Sequence, residues 1–269
     1  MSVTRLTGAM LAHLHTLESL NRRYDRSTDL YPELEAAVAD LTAFVTDAEN
    51  TALWNECAAG AGDDFAELAE CLRDESAASA ATMEKLRARE FLAGVERPTR
   101  YFDNVESSID SEFGSFAPES GSKILMIGIG SFPMTAANVV RQTGATVFGT
   151  DIDLESIELG RRVVRALGVD DHVELDVAGS HLRPVAAEVT HVIFSSTISD
   201  KYRILNALHP LTRADVTVVM RYGNGLKSLF NYPKLNLPQE LWREVAGVTR
   251  PGQVFDVVLY RKAGATDAV

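Results

Sequence analysis

A glycine-rich turn and two aspartates are the residues of this sequence whose types and spacing most suggest chemistry. Gly128 and Gly130 follow the apolar run at 123–127 and precede a helix-like stretch that begins MTAANVV. Asp151 closes a second β-branched run, and Asp176 closes a third. Because parallel strands end at one edge of a sheet, and ligands bind beyond that edge, we expect the turn and both aspartates to contact one ligand.

The turn differs from a dinucleotide-binding fingerprint at its third glycine, which is replaced by Pro133. Proline fixes φ and has no N–H to donate, so part of the usual pyrophosphate cradle is missing. Asp151 is placed to accept hydrogen bonds from the two hydroxyls of an adenosine ribose, and Asp176 to reach the adenine amino group. This combination favours S-adenosylmethionine over NAD.

The second half of the sequence has the pattern of a sheet that would position this turn. Short β-branched runs alternate with helix-like runs, which predicts the α/β class, a Rossmann-like, doubly wound and mostly parallel sheet. The last run follows Pro251-Gly252, a turn too tight for a crossover helix, so it should be an antiparallel strand. The strand candidates are 123–128, 146–151, 172–177, 191–196, 216–223 and 254–262.

The first half of the sequence predicts a separate helical domain at 1–98, before the Rossmann-like domain at 99–269. Apolar residues recur there at steps of three and four, as on helices with one buried face. Cys57 and Cys71 have no CxxC spacing, so we expect two buried thiols and no metal site. The apolar positions are Leu6, Met10, Leu14, Leu17, Leu34, Val38, Leu41, Val45, Phe65, Leu68 and Leu72.

The net charge and the hydropathy pattern restrict the partners. A net charge of −12 and a pI near 5.0 argue against nucleic acid, since that affinity rests on Lys and Arg. The sequence has neither a signal-peptide pattern nor about 18 consecutive apolar residues, which a membrane helix would need. It therefore predicts a cytoplasmic protein that acts on a small molecule, with the choice between a monomer and a homodimer open.

Three segments resemble motifs of the nicotianamine synthase family. IGIGSFPMTA is similar to that family's GSGPLPLT turn, RYFDNV to its FPYYxNY segment, and MRYGNGLKSLFNYP to its RSAHGxRxFLYP segment. The ending RPGQVFDVVLYRK resembles its closing strand pair. The matching positions are Gly128, Gly130, Pro133 and Thr135 in the first segment, Tyr101, Phe102 and Asn104 in the second, and Arg221, Gly225, Tyr232 and Pro233 in the third.

The resemblance implies a class I methyltransferase fold with an N-terminal helical cap, in which S-adenosylmethionine as substrate gives up its 3-amino-3-carboxypropyl arm and methylthioadenosine is released. Related members pass the arm to an amino-acid amine to make nicotianamine-like or opine-type metallophores, and others close it to azetidine-2-carboxylate. Of the family's two acceptor-handling glutamates, Glu75 is matched and Ser79 replaces the other. This replacement tilts the expectation toward ring closure. A small-molecule methyltransferase that makes S-adenosylhomocysteine is the alternative.

A sulfonium has three electrophilic carbons, so the placement of the nucleophile decides the product. Aromatic rings at Tyr101, Phe102, Phe132 and Tyr222 are candidates to orient the sulfonium through cation–π attraction, worth about 0.5–2 kcal/mol each. This attraction fades as the sulfonium becomes a neutral thioether, so it orients without accelerating. Phe132 could equally be a core residue under the turn.

The remaining polar candidates would handle the amine and the carboxylate. Asn104, Tyr101 or Asn224 could hold the amine while Glu75 takes its proton. Arg221 or the helix N-terminus after Pro133 could bind the methionyl carboxylate. The predicted catalytic residues are Tyr101, Asn104, Tyr222 and Glu75. The predicted cofactor-binding residues are Gly128, Gly130, Phe132, Pro133, Thr135, Asp151, Asp176, Phe102 and Arg221.

Overall fold

The computed structural model describes residues 2–95, 118–178 and 182–264. Two compact units divide these residues. The predicted boundary between the domains at residue 98 falls outside the described residues and stays a prediction. The first unit contains the N-terminal helices, and it is completed by two later segments, Tyr222–Lys234 and Arg250–Asp256. The second unit contains most of the sheet and its crossover helices.

The first unit is helical, as the apolar stripes predict. Leucine, methionine and valine stripes of α1, α2 and α4 are buried, apart from the half-buried Leu68. The prediction of buried thiols is wrong, because Cys57 is half-buried and Cys71 is exposed. Cys71 lies on the exposed face of α4, and Cys57 is the last residue of α3, where its Sγ donates to the Leu53 carbonyl at 2.8 Å. The helices are α1 (Ser2–Arg22), α2 (Tyr31–Thr46), α3 (Ala48–Cys57) and α4 (Asp63–Leu92).

The described residues form a seven-stranded sheet of order β3-β2-β1-β4-β5-β7-β6. Neighbouring strands from β3 to β5 pair in parallel, and β6 pairs antiparallel with β7, so the predicted doubly wound sheet with an antiparallel C-terminal strand is confirmed. The strands are β1 (Lys123–Ile127), β2 (Thr146–Asp151), β3 (Val173–Val177), β4 (His191–Phe194), β5 (Thr217–Tyr222), β6 (Trp242–Val248) and β7 (Asp256–Lys262).

Strand order reverses between β1 and β4, because β2 and β3 extend the sheet to one side of β1 while β4 and β5 extend it to the other. The crevice beyond the carboxyl ends of these strands is where doubly wound sheets bind ligands. Crossover helices cover the sheet and bury its central strands. They are α5 (Met134–Thr143), α6 (Leu154–Ala166), α7 (Leu182–Ala186) and α8 (Lys201–Leu208).

Over the part of the chain that the structure describes, no helix is both long and apolar enough to cross a bilayer. The same residues bring no three His, Cys, Asp or Glu side chains together in a way that could hold a metal ion.

Candidate functional site

The turn after β1 is built from glycines in the left-handed region of backbone space. Gly128 has φ +74° and Gly130 has φ +71°, values that side chains with a Cβ rarely adopt. The N–H groups of Gly128 and Ile129 donate to the Thr150 carbonyl at 2.9 and 3.1 Å, which ties the turn to the end of β2. A Cβ at position 128 would lie 2.7 Å from Ile198 Cδ1 and 3.2 Å from Ser195 Cβ, so both the neighbours and the positive φ disfavour a side chain there.

Asp151 lies against this turn. Its Oδ2 accepts from the Gly130 N–H at 3.0 Å and its Oδ1 accepts from the Asp153 N–H at 3.1 Å. Burial raises the pKa of Asp151, and the backbone N–H donors only partly offset this. Each carboxylate oxygen keeps acceptor capacity, and further donors such as two vicinal hydroxyls would favour the charged form.

Arg221 and Thr135 meet at the same edge of the sheet. The guanidinium Nη2 donates to Thr135 Oγ1 at 3.2 Å, and both residues are buried. Thr135 belongs to the first turn of α5, which begins directly after Pro133. A buried guanidinium beside a helix N-terminus is a suitable place for a carboxylate.

The fully buried Lys201 holds the strand ends around Arg221. Its Nζ donates to the Arg221 carbonyl at 3.0 Å and to the Ser196 carbonyl at 3.4 Å. Lys201 therefore links the carboxyl ends of β4 and β5, and it fixes the backbone that carries the guanidinium. The sequence shows this lysine only as the first residue of an amphipathic helix, so sequence reasoning missed it.

Asp176 lies on β3 in register with Thr150, one strand away from the turn. Its Oδ1 lies 3.6 Å from Arg161 Nη2, and that guanidinium also donates to the Leu175 carbonyl at 2.7 Å. Arg161 already pairs with the Asp176 carboxylate. The contact of Asp176 with an adenine amino group stays a prediction.

An exposed apolar residue beside Asp151 was not among the predicted site residues. Ile152 is 88% exposed, and Leu154, two residues later, is 57% exposed. Large apolar side chains with such exposure next to a partly buried carboxylate can cover the face of an aromatic base. The signal in the sequence was an apolar residue between two aspartates, which reads as an ordinary loop.

Phe132 and Ser131 follow Gly130 in the turn and are both buried. The burial of Phe132 supports the packing role that was the alternative to a ligand contact. The Ser131 hydroxyl has no hydrogen-bond partner among the described residues, so a bound group could still engage it.

Glu75, Tyr222 and Asn224, which the sequence also predicts as site residues, lie in the first unit. Glu75, midway along α4, is half-buried and accepts a hydrogen bond from Asn21 at 2.7 Å. The ammonium of Lys234 lies 5.9 Å from the centroid of the buried Tyr222 ring, so that ring already faces a cation. Asn224 Oδ1 accepts from the Lys234 backbone N–H at 2.9 Å, so this side chain joins the two ends of the segment 224–234.

Three predicted residues, Tyr101, Phe102 and Asn104, lie outside the described residues. Their assignment to an aromatic cage and an amine-binding position stays a prediction from the sequence.

Comparison with known proteins gives relatives in sequence and in structure, although no family model matches the chain. L-histidine 2-aminobutanoyltransferase of Pseudomonas aeruginosa is 28% identical over 194 residues, which cover 72% of this chain and 73% of that protein. The enzyme of the same name from Yersinia pestis is 37% identical over 135 residues, 49% of each protein.

Among solved structures, a point variant of the nicotianamine synthase MtNAS superposes with a TM-score of 0.80 at 16% identity, covering 96% of this chain and 98% of that one. The same variant in complex with S-adenosylmethionine gives 0.72 at 15% identity, covering 93% and 98%. The similarity extends over the helices as well as the sheet, and it confirms the predicted methyltransferase-type fold with helices before it.

Proposed function

We propose that this nicotianamine synthase-like chain transfers the 3-amino-3-carboxypropyl group of S-adenosylmethionine to the amine of a small-molecule acceptor and releases methylthioadenosine. The prediction of an S-adenosylmethionine-dependent transferase is confirmed by relatives that are named as aminobutanoyltransferases. The observation that carries the proposal is the pair of sites at one sheet edge, where Asp151 accepts from the glycine turn and Arg221 lies buried at the start of α5. One suits a ribose and the other an amino-acid carboxylate.

The residues at this edge of the sheet would orient the substrate for attack at its γ-carbon. Asp151 would accept from the ribose hydroxyls, Ile152 would cover the adenine, and Arg221 with the α5 N-terminus would bind the carboxylate. The acceptor nitrogen forms a bond to the γ-carbon as the C–S bond breaks, and the bonding electrons leave with sulfur as a neutral thioether. The resemblance to the nicotianamine synthase family implies that Glu75 takes the proton that the nitrogen loses. An apolar site favours this dispersal of charge.

Transfer and ring closure differ only in which amine attacks. Relatives named for L-histidine make the histidine amine the first acceptor to test. Ring closure is the second candidate, because Ser79 stands one helical turn after Glu75 where the resembling family has another glutamate. Closure needs no acceptor site.

Product analysis separates these reactions. Purified protein is incubated with S-adenosylmethionine, with and without L-histidine, and the products are followed by chromatography and mass spectrometry. We expect methylthioadenosine and an aminocarboxypropylated histidine when the acceptor is present. Methylthioadenosine with azetidine-2-carboxylate in the absence of acceptor would instead establish closure. Formation of S-adenosylhomocysteine would contradict the proposal.

Arg221→Met should remove the preference for a substrate that carries a carboxylate. Because the guanidinium is buried, its hydrogen bond to a carboxylate should be worth about 1.5–3 kcal/mol. Wild-type protein is therefore expected to bind S-adenosylmethionine about 10- to 100-fold more tightly than its decarboxylated analogue. Calorimetry on both ligands should show that the variant no longer distinguishes them.

The control is Arg213→Met, since Arg213 is exposed and pairs with Asp215. This variant should keep the wild-type preference. If Arg221→Met also keeps it, the carboxylate is bound elsewhere.

A further inference from the structure

We propose that Asn21, on α1, is a positioning residue that fixes the carboxylate of Glu75 as the acceptor for the substrate proton. This inference rests on the proposed function. Asn21 Nδ2 donates to Glu75 Oε2 at 2.7 Å and to the Glu75 carbonyl at 3.2 Å. The side chain and the backbone of one residue are thus held by one amide group.

The orientation of the Asn21 amide follows from its surroundings. The two contacts with Glu75 are made to oxygen acceptors, so only the NH₂ end of the amide can face them. The other end, Oδ1, accepts from the hydroxyl of the fully buried Ser79 at 3.1 Å. Ser79 lies one turn after Glu75 on α4, and the three side chains form a network in which each amide atom has a partner.

This network lies at the C-terminal end of the buried apolar stripe of α1. Leu6, Met10, Leu14 and Leu17 form the buried stripe of α1, and Asn21 follows Leu17 at the same helical step. Asn21 is half-buried, and its hydrogen bonds with Glu75 and Ser79 give its amide partners at the end of this stripe.

Asn21 is a neutral donor, and its amide restricts the Glu75 carboxylate to one orientation without adding a charge beside it.

The helix on both sides of Glu75 is anchored within the same unit. Arg73 Nε donates to the Ser228 carbonyl at 2.6 Å, and Ser76 Oγ donates to the Leu229 carbonyl at 3.1 Å. Asp74 accepts from the Tyr232 hydroxyl at 2.6 Å. Because these contacts hold the backbone around Glu75, its remaining freedom lies in the side chain, which is the part that Asn21 restrains.

A double-mutant cycle tests this role. Asn21→Leu and Asn21→Asp are made alone and in the Glu75→Gln background, and kcat for methylthioadenosine release, KM for S-adenosylmethionine and Tm are measured. Asn21→Asp has the size of asparagine and keeps an oxygen for Ser79, so it remains informative if Asn21→Leu does not fold. The matched control is Asn50→Leu, which removes a half-buried amide that donates to the Phe44 carbonyl at 3.3 Å elsewhere in the same unit.

Glu75→Gln should lower kcat about 10²- to 10⁴-fold. Each Asn21 variant should lower kcat about tenfold in the wild-type background, leave KM within about twofold, and have no further effect once Glu75 is Gln. Asn50→Leu should leave kcat unchanged.

Two outcomes would overturn the role of Asn21 in an active enzyme. The first is an equal fold-decrease in kcat from the Asn21 substitution in both backgrounds, and the second is a wild-type kcat in the Glu75→Gln variant. A wild-type protein that releases no methylthioadenosine with any amine would instead refute the proposed function.

Discussion

Asp151→Ala should weaken binding of S-adenosylmethionine by about 10²- to 10⁴-fold, with a much smaller change in kcat at saturation. Hydrogen bonds to a charged acceptor contribute about 1.5–3 kcal/mol each, and a ribose would make two of them with this carboxylate. The substitution also removes the acceptor of the Gly130 N–H, so the glycine turn loses one of its fixed contacts. Isothermal titration calorimetry measures the change in Kd, and single-turnover kinetics measure the chemical step.

The control for Asp151→Ala is Asp171→Ala, in the exposed turn before β3. It removes the same charge from the same unit, so a general electrostatic effect would appear in both variants. Equal weakening by the two substitutions would mean that Asp151 does not contact the adenosine.

Asp256→Ala should lower the free energy of unfolding by about 3–5 kcal/mol, the usual cost of leaving a buried charge without its partner. Lys227 Nζ lies 2.7 Å from Asp256 Oδ1, and the two side chains are only 10% and 7% exposed. Asp256 Oδ1 also accepts from the Arg250 N–H at 2.9 Å. Urea denaturation followed by circular dichroism gives the difference.

Glu188→Ala provides the matched comparison, because it breaks the ion pair with Lys123 on the exposed surface. Exposed pairs contribute little, and the urea midpoint of this variant should stay at the wild-type value. Similar losses in the two variants would show that the burial of the Lys227–Asp256 pair does not determine its contribution.

The sheet could be predicted from the sequence because its central strands are buried on both faces and read as continuous β-branched runs. The same reasoning places the glycine turn and Asp151 at one edge of the sheet, since parallel strands end together, whereas the hydrogen bond between them is seen only in the structure. β6 could not be predicted in this way. Its sequence, WREVAGV, lies at the sheet edge and is exposed over most of its length, so no alternation of buried and exposed residues marks it.

The polar network of the helical unit was only half predictable. Glu75 was found through a resemblance, whereas Asn21 lies 54 residues away in sequence and is identified only by its contact. The same limit applies to Lys201, whose partners are two backbone carbonyls that carry no sequence signal. Side chains that act on backbone groups or across long separations need coordinates before they can be recognised.

The first unit is assembled from segments that lie far apart in the sequence. Tyr222–Lys234 and Arg250–Asp256 leave the ribosome only after β1 to β4 of the second unit, long after the helices that they complete. The Lys227–Asp256 ion pair joins those two late segments. Domains generally fold as units, so the helices must wait, with part of their apolar surface uncovered, until Asp256 has emerged. An expression fragment that stops at residue 98 would lack what completes this unit and should require a chaperone or aggregate.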